Sequence, residues 1–189
     1  ANGTFVDTID ANNLKTRSFY DNAGRLRQQV VDPDQGGLQL TTDYTYDNQG
    51  HTLTVIQRGS DRTKDRIHHY AYDGLGRRTD EFVGSYVIDT TVTASSSASA
   101  LVIPGSSYKE SLELVRHYNY DSNNNVISSS DALGQTTRFT YNSENREIYR
   151  VDAAGGVVKT DYDPTGKVTR TTRFANAVNT SVWTGQVSS

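Results

Sequence analysis

The segment Tyr20-Asp21-Asn22-Ala23-Gly24-Arg25 decides the fold, because its pattern returns along the whole chain. In each copy, an aromatic–Asp or aromatic–Asn pair is followed three residues later by Gly or Asn, and then by a basic or polar residue. An Asp side chain accepts hydrogen bonds from backbone N–H groups two residues on, and Gly or Asn tolerates a positive φ. Each copy therefore predicts a tight turn between two strands. The six copies are residues 20–25, 46–51, 72–77, 120–125, 141–146 and 162–167.

The spacing of the copies predicts that the repeated unit is a β-hairpin. Successive tyrosines are 26, 26, 48, 21 and 21 residues apart, and a second Asp-initiated turn lies between them at Asp10, Asp131 and Asp152. A longer version of this second turn begins at Asp32. Two turns per unit leave two strands of about six residues, a common strand length. The intervening segments are rich in Thr, Val and aromatic residues and show no 3.6-residue apolar period, which favours strands.

The Tyr, Asp and Gly positions of the copies are the predicted structural positions of the repeat. The Asp and Gly are expected to form the turn. The Tyr ends the incoming strand, so its ring is expected to lie across the neighbouring hairpin and to stack between units. These positions are Tyr20, Asp21, Gly24, Tyr46, Asp47, Gly50, Tyr72, Asp73, Gly76, Tyr120, Asp121, Tyr141, Tyr162, Asp163 and Gly166.

The motifs resemble the tyrosine–aspartate (YD), or RHS, repeat family over residues 10–174, with gaps. The resemblance rests on the Tyr-Asp pairs, on the segments 24–26 (GRL) and 76–78 (GRR) that follow them, and on 131–134 (DALG). In that family, hairpins spiral into a large hollow β-shell. Bacterial toxin complexes and Rhs effectors enclose a C-terminal toxin in this shell, and related animal proteins use it at cell surfaces. The resemblance implies an all-β fold of consecutive antiparallel hairpins forming a curved, spiralling sheet, in a secreted or cell-surface protein.

Three functions are compatible with such a repeat. The first is a non-catalytic shell segment of a larger secreted or surface toxin-like protein, whose partners are neighbouring repeats and an enclosed toxin domain of the same polypeptide. The second is a module of an adhesin or other surface protein that binds a glycan or a protein. Tyr44, Tyr70 and Tyr118 each precede a repeat Tyr by two residues and are the candidate ligand contacts. The third is the non-catalytic part of an enzyme whose active site lies elsewhere.

The composition disfavours several other classes of protein. The net charge of −3 gives no concentrated basic face for nucleic acid. Only 34% of residues are apolar, so we expect a lean core and a sheet that faces water. There is no Cys for disulfides or Cys-based zinc sites, and no apolar run of the roughly 20 residues needed for a membrane span. The absence of Met predicts a fragment of a longer chain.

No catalytic residue, metal site or cofactor is predicted. His68 and His69 are adjacent on an expected strand, so their side chains should point to opposite faces. Asp32 and Asp34 begin an alternating acidic pattern, but no Glu closes a calcium loop. The segment 163–166 (DPTG) resembles part of the Asp-Pro-x-Gly-Leu motif of the Rhs autoprotease. However, Lys167 replaces the Leu and only one copy is present, so an ordinary turn is predicted.

The repeats are expected to span residues 1–174, with a degenerate or inserted unit at 79–118, and residues 175–189 form a degenerate tail or end cap containing Trp183. Within the interruption, residues 94–100 (ASSSASA) predict a flexible loop. The flanking segments 85–92 and 101–103 predict strands, while 109–115 (KESLELV) fits a helical turn or a strand. Residues 62–66 (RTKDR) are interpreted as a solvated loop.

Overall fold

The computed structural model describes residues 4–34, 39–88 and 108–178, and the regular structure of these residues is almost entirely β. The strands are β1 Phe5–Ile9, β2 Lys15–Tyr20, β3 Leu26–Val31, β4 Leu40–Tyr46, β5 Thr52–Gln57, β6 Arg66–Tyr72, β7 Arg78–Ile88, β8 Tyr108–Tyr120, β9 Val126–Asp131, β10 Thr136–Tyr141, β11 Glu147–Val151, β12 Val157–Tyr162 and β13 Val168–Arg173. A single turn of 3-10 helix spans Arg62–Lys64.

Each strand is hydrogen-bonded to the strands that precede and follow it in the sequence. The pairs with a described register are all antiparallel, as in β2 with β3 and β12 with β13. Two antiparallel strands can be joined by a short loop, so a chain with closely spaced turns forms hairpins without crossovers. The prediction of an all-β fold built from consecutive antiparallel hairpins is therefore confirmed.

A register shift of one residue occurs beside the tyrosine at five of the six Tyr-bearing turns. These shifts lie between Phe19 and Tyr20, Thr45 and Tyr46, Asn119 and Tyr120, Thr140 and Tyr141, and Asp161 and Tyr162. A turn that closes with a residue at positive φ produces such a bulge where the hairpin leaves the turn. The bulge therefore places every one of these tyrosines at the same point of its hairpin.

Contacts divide the chain into two compact units. The first comprises Ala1–Gly76 and Glu81–Glu113. Its buried hydrophobic cluster contains Ile56, Ile67 and Tyr86, with Leu112 packed against it. Ile56 and Ile67 lie directly opposite each other on β5 and β6, which explains why they share this cluster.

The second unit comprises Arg77–Asp80 and Leu114–Ser189. Its buried hydrophobic residues are Val151 and Val157, which face each other across β11 and β12. After β13, the chain folds back so that the Val178 N–H donates to the Gly155 carbonyl oxygen at 2.8 Å. Both units therefore have the small core that the lean apolar composition predicts.

The interruption of the repeat is bounded by the two longest strands. The segment 109–115 lies within β8, so the strand alternative is correct there and the helical one is wrong. The predicted strand 85–92 is described only as far as residue 88, within β7. The flexible loop 94–100, the strand 101–103 and Trp183 lie outside the described residues. The domain boundaries at 79–118 and 175–189 stay predictions.

Candidate functional site

Nine hairpin turns in the described residues share one hydrogen-bond pattern, which also occurs in the 3-10 turn from Asp61 to Lys64. In each turn, the N–H of the residue three positions after an Asp or Asn donates to the carbonyl oxygen of that Asp or Asn, as Gly24 does to Asp21 at 3.0 Å. Six of these are the Tyr-bearing turns, which we call tips. The other three begin at Asp10, Asp131 and Asp152. The longer connection at Asp32 differs, since Asp32 itself has φ 55 and accepts from the Gln39 N–H.

The Asp carboxylate organises five of the tips, and the side-chain oxygen of Asn142 does so in the other. In the first tip, one oxygen of Asp21 accepts from the backbone N–H groups of Ala23 and Arg25, both at 2.9 Å. The closing residue has a positive φ, +78° at Gly24 and +88° at Gly166. Asn takes this conformation at 124 and 145, with φ 67 and 58. Asn tolerates left-handed geometry better than other residues that carry a Cβ, so the two substitutions keep the same turn.

The hydrogen bonds keep these carboxylates charged. The backbone N–H of Arg25 is the main cause that lowers the pKa of Asp21, and the Arg25 side chain adds to it. The Thr165 hydroxyl, followed by the Lys167 backbone N–H, lowers the pKa of Asp163. Because hydrogen bonds to the ionised form stabilise that form, the carboxylates of Asp21 and Asp163 are fixed anions at neutral pH.

At five of the six tips, a tyrosine hydroxyl joins the tip to the hairpin before it. Tyr46 donates to the Leu26 carbonyl oxygen at 2.7 Å, and Leu26 is the first residue of the preceding outgoing strand β3. Four further tyrosines repeat this bond to the first residue of the corresponding strand. The pairs are Tyr72 with Thr52, Tyr120 with Arg78, Tyr141 with Val126 and Tyr162 with Glu147, at 2.7 to 2.9 Å. We call this bond the tyrosine latch.

At four tips, the residue four positions after the tip Asp or Asn covers the ring of the next tyrosine. The Arg25 guanidinium carbon lies 4.9 Å from the Tyr46 ring centroid, and the same arginine donates to the Asp47 carbonyl oxygen at 3.2 Å. Arg77 lies over Tyr120 and Arg146 over Tyr162, at 4.7 and 5.1 Å. The predicted stacking of Tyr rings between units is thus replaced by contacts between a cation and a ring, which are favourable because the ring face is electron-rich.

Two tips use other residues at this position. His51 stacks on Tyr72, with ring centroids 4.8 Å apart, and its Nδ1 lies 2.8 Å from an Asp47 carboxylate oxygen. Asn125 instead donates from its side-chain amide to the Asn145 side-chain oxygen in the next tip, at 2.9 Å. The residue at this position therefore contacts the next tip in both cases, through ring stacking at His51 and through an amide hydrogen bond at Asn125.

The candidate ligand-contact tyrosines are separate from the latches. Tyr44 faces Val55 across β4 and β5, while Tyr118 faces Ser129 across β8 and β9. Tyr70 lies on β6, and all three side chains are half-buried. Their role as ligand contacts stays a prediction.

The histidines lie apart from one another. His68 faces Val55 and His69 faces Thr54, so the two side chains occupy opposite faces of the sheet. His117 Nδ1 lies 2.7 Å from an Asp80 carboxylate oxygen. Across the described residues, no group of three His, Asp or Glu side chains has the arrangement of a metal site. No helix among these residues is long and apolar enough to cross a membrane.

The interpretation of residues 62–66 as a solvated loop is wrong for Asp65. Its side chain is only 2% exposed, and its carboxylate accepts from the Arg58 guanidinium at 2.9 Å and from the Gly59 N–H at 2.8 Å. Arg58 also pairs with Asp43 on β4. A buried carboxylate requires such partners, and these partners fix the loop between β5 and β6 to the sheet.

The geometry defines a class of protein: a chain of antiparallel hairpins whose tyrosine–aspartate tips are joined in series. Residues 120–157 match the model of the RHS Repeat family. The predicted resemblance to the RHS repeat is confirmed by this match. A comparison with curated proteins gave no match.

Solved structures of Tc toxin components are similar to this chain. One is the Tc holotoxin pore of Photorhabdus luminescens, with 12% identity and a TM-score of 0.33 over 88% of this chain and 10% of that one. Another is the TcdB2–TccC3–Cdc42 crystal structure, with 11% identity and a TM-score of 0.33 over 91% and 11% of the two chains. A third, TcdB2–TccC3 without its hypervariable C-terminal region, has 13% identity and a TM-score of 0.35 over 86% and 10%. This chain spans about a tenth of the length of each.

Proposed function

We propose that this chain is a non-catalytic structural segment of a larger secreted or surface toxin-like protein, and that its hairpins form part of a shell around another segment of the same polypeptide. The observation that carries the proposal is the tyrosine latch, repeated at five successive junctions. A repeated contact between nearest neighbours stabilises an extended array, because each unit depends on the next for burial of its surface.

The use of the polar side chains supports a structural role. Tip carboxylates accept two backbone N–H groups each, as at Asp47 and Asp163. A general acid or base must exchange protons near the working pH, whereas a lowered pKa keeps Asp163 ionised.

The two His–Asp pairs are also accounted for by packing. His51 bonds to Asp47 and lies under the next tyrosine ring, and its Nε2 occupies the space that a Cβ on Gly76 would need. His117 bonds to Asp80. Among the contacts of the described residues, neither ring meets a Ser or Thr hydroxyl, which nucleophilic catalysis by such a pair requires.

Protease protection in the intact parent protein tests the enclosing role. We expect the enclosed segment to resist digestion in the native protein and to become sensitive when Tyr46→Leu and Tyr162→Leu remove two latches. Tyr44→Leu, on the same strand as Tyr46 but outside the latches, is the matched control and should leave protection unchanged. Digestion of the segment at equal rates in native and latch-deficient protein would refute enclosure.

A separate measurement tests the non-catalytic role. The isolated chain should show no turnover of polysaccharide or peptide substrates, and any activity that tracks with the purified chain contradicts the proposal. A variable toxin-coding region downstream in the parent gene would add support for the shell.

A further inference from the structure

An open cleft of about 410 Å³ lies over strands β3 to β6 of the first unit. Its floor is built from residues that face one another across neighbouring strands: Val31 is opposite Leu40, while Thr42 is opposite Gln57, which in turn is opposite Arg66. Alternate residues of a strand share a face, so these five side chains lie on the same side of the sheet. The volume falls within the range of about 300–1,000 Å³ that is typical of small-ligand sites.

The cations at one end of the cleft are available to a ligand. Arg66 is exposed at the start of β6 and makes no hydrogen bond or ion pair with any described residue. Lys64, in the loop before this strand, lies 3.6 Å from an Asp61 carboxylate oxygen, and both of these side chains are largely exposed. Such a surface pair contributes little to stability, so an anionic ligand can compete for the ammonium group. Arg58 also lines the cleft, but two carboxylates already bind its guanidinium.

The charge of the lining favours an anionic ligand. No Asp or Glu is found among the described residues that line this cleft. A cleft of similar size in the second unit, about 510 Å³, is instead lined by Asp131 and Asp152 beside Arg116. Carboxylates in the wall repel a second anion, so the second cleft is a suitable internal control.

The middle and the far end of the cleft define the rest of the ligand. The Thr42 hydroxyl and the Gln57 amide make no hydrogen bond with any described residue, and both groups can donate and accept. Beyond them, the Leu40 side chain is 55% exposed and lies opposite Val31, which gives an apolar end. Two strand spacings and two residues along a strand separate Leu40 from Arg66, a distance of about 12 Å.

We propose that this cleft binds an extended peptide in which an acidic and an apolar side chain are four positions apart. Four extended residues span about 13 Å, and their alternation directs both side chains to the sheet. The carboxylate pairs with Arg66, whose planar guanidinium matches two carboxylate oxygens, and with Lys64. The N–H and carbonyl groups of the peptide backbone pair with Thr42 and Gln57, and its apolar side chain packs on Leu40. This site is independent of the proposed shell function.

Fluorescence anisotropy of labelled heptapeptides titrated with the 189-residue chain tests the site. Each probe carries one glutamate and one leucine four positions apart, in either order, among serine and glycine residues. We expect at least one order to bind, and replacement of its glutamate by glutamine to weaken binding at least tenfold. Arg66→Ala should have the same effect, that of losing a charge-assisted hydrogen bond, and Arg66→Lys should lose less because it keeps the charge.

The second cleft supplies the matched control. Arg116 is an exposed strand arginine with no partner in the described part of the chain, and Arg116→Ala should bind the probe as the wild type does. Neither arginine contributes a described contact, so the melting temperatures of both alanine variants should equal that of the wild type.

Four results would overturn the proposal: no binding of either heptapeptide at millimolar concentration, equal binding of the glutamine peptide, an equal loss of affinity in Arg116→Ala, or binding of phosphatidylserine vesicles in place of the peptides. The last result would assign the cations to a membrane surface. Protease protection of an enclosed segment does not depend on Arg66, so these failures are distinguishable from failure of the shell function.

Discussion

Removing one hydroxyl from a tyrosine latch should measurably weaken the junction between two hairpins. Tyr46→Phe keeps the ring and its contact with Arg25 but deletes the 2.7 Å bond to the Leu26 carbonyl oxygen. A neutral hydrogen bond contributes about 0.5–1.5 kcal/mol net to stability. Burial at the junction is the main cause that raises the pKa of Tyr46, which indicates a site partly shielded from water. We therefore expect a loss of about 1 kcal/mol in the free energy of unfolding.

The chain supplies a matched control on the same strand. The Tyr44 hydroxyl makes no hydrogen bond with any described residue, so Tyr44→Phe removes the same atom without removing a bond. Urea unfolding followed by far-ultraviolet circular dichroism gives the free energy for both variants, and equal m-values would show that the same surface is exposed on unfolding. We expect Tyr44→Phe to differ from the wild type by less than about 0.5 kcal/mol.

Equal stability of Tyr46→Phe and the wild type would refute the latch as a stabilising contact. So would an equal loss in Tyr44→Phe, because it would show that the measurement reports a general property of tyrosine hydroxyls and not the junction.

Three further perturbations test the tips and the loop at Asp65. Gly24→Val should cost about 1–3 kcal/mol of unfolding free energy, since φ is +78° although nothing crowds the site; a melting temperature equal to the wild type would contradict the turn. Asp65→Asn should cost about 3 kcal/mol of unfolding free energy by leaving Arg58 with a weaker partner, whereas Glu144→Gln, in the exposed pair with Arg146, should leave the stability nearly unchanged; similar losses in both would show that Asp65 is not fixed as described. The lowered pKa of Asp163 stabilises the fold above the carboxyl's unfolded pKa, and this contribution is lost as pH falls through the folded value. The melting temperature should thus fall below about pH 4, less steeply in Asp163→Asn, and a melting temperature independent of pH there would contradict this.

The turns could be predicted from the sequence because the residues that cause them are close together in the chain. Within five residues, the Asp that accepts the backbone N–H groups and the Gly or Asn that takes a positive φ are both visible, as in 21–25 and 121–125. Recurrence of that local signal was enough to predict consecutive hairpins.

The tyrosine latches could not be predicted from the sequence in the same way. The Tyr46 hydroxyl reaches a carbonyl 20 residues earlier in the chain, and the bond depends on the register of β3 against β4. A carbonyl group is present at every residue, so no residue type marks the acceptor. Arg or His recurs four residues after several of the tip Asp residues, at Arg25, His51 and Arg77. This recurrence could have indicated the contact with the next tyrosine ring, because a residue that contacts each ring must recur along the chain together with the tyrosines.

The loop at residues 58–65 escaped prediction for a different reason. Its alternating charges are typical of a solvated surface, and the sequence does not show that Asp65 turns inward to meet Arg58 and the Gly59 N–H. Only the fold brings Asp43, on a neighbouring strand, to the other side of Arg58. Burial of a charged group depends on partners that the tertiary structure supplies.

The latches all have the same polarity along the chain. The acceptor carbonyl belongs to the earlier hairpin and the donor hydroxyl to the later one, at Leu26 and Tyr46 as at Glu147 and Tyr162. During synthesis from the N-terminus, every hairpin that leaves the ribosome thus meets an acceptor that is already in place. The latches are therefore compatible with assembly of the array one hairpin at a time from its N-terminal end, because no latch tyrosine depends on an acceptor that has not yet been translated.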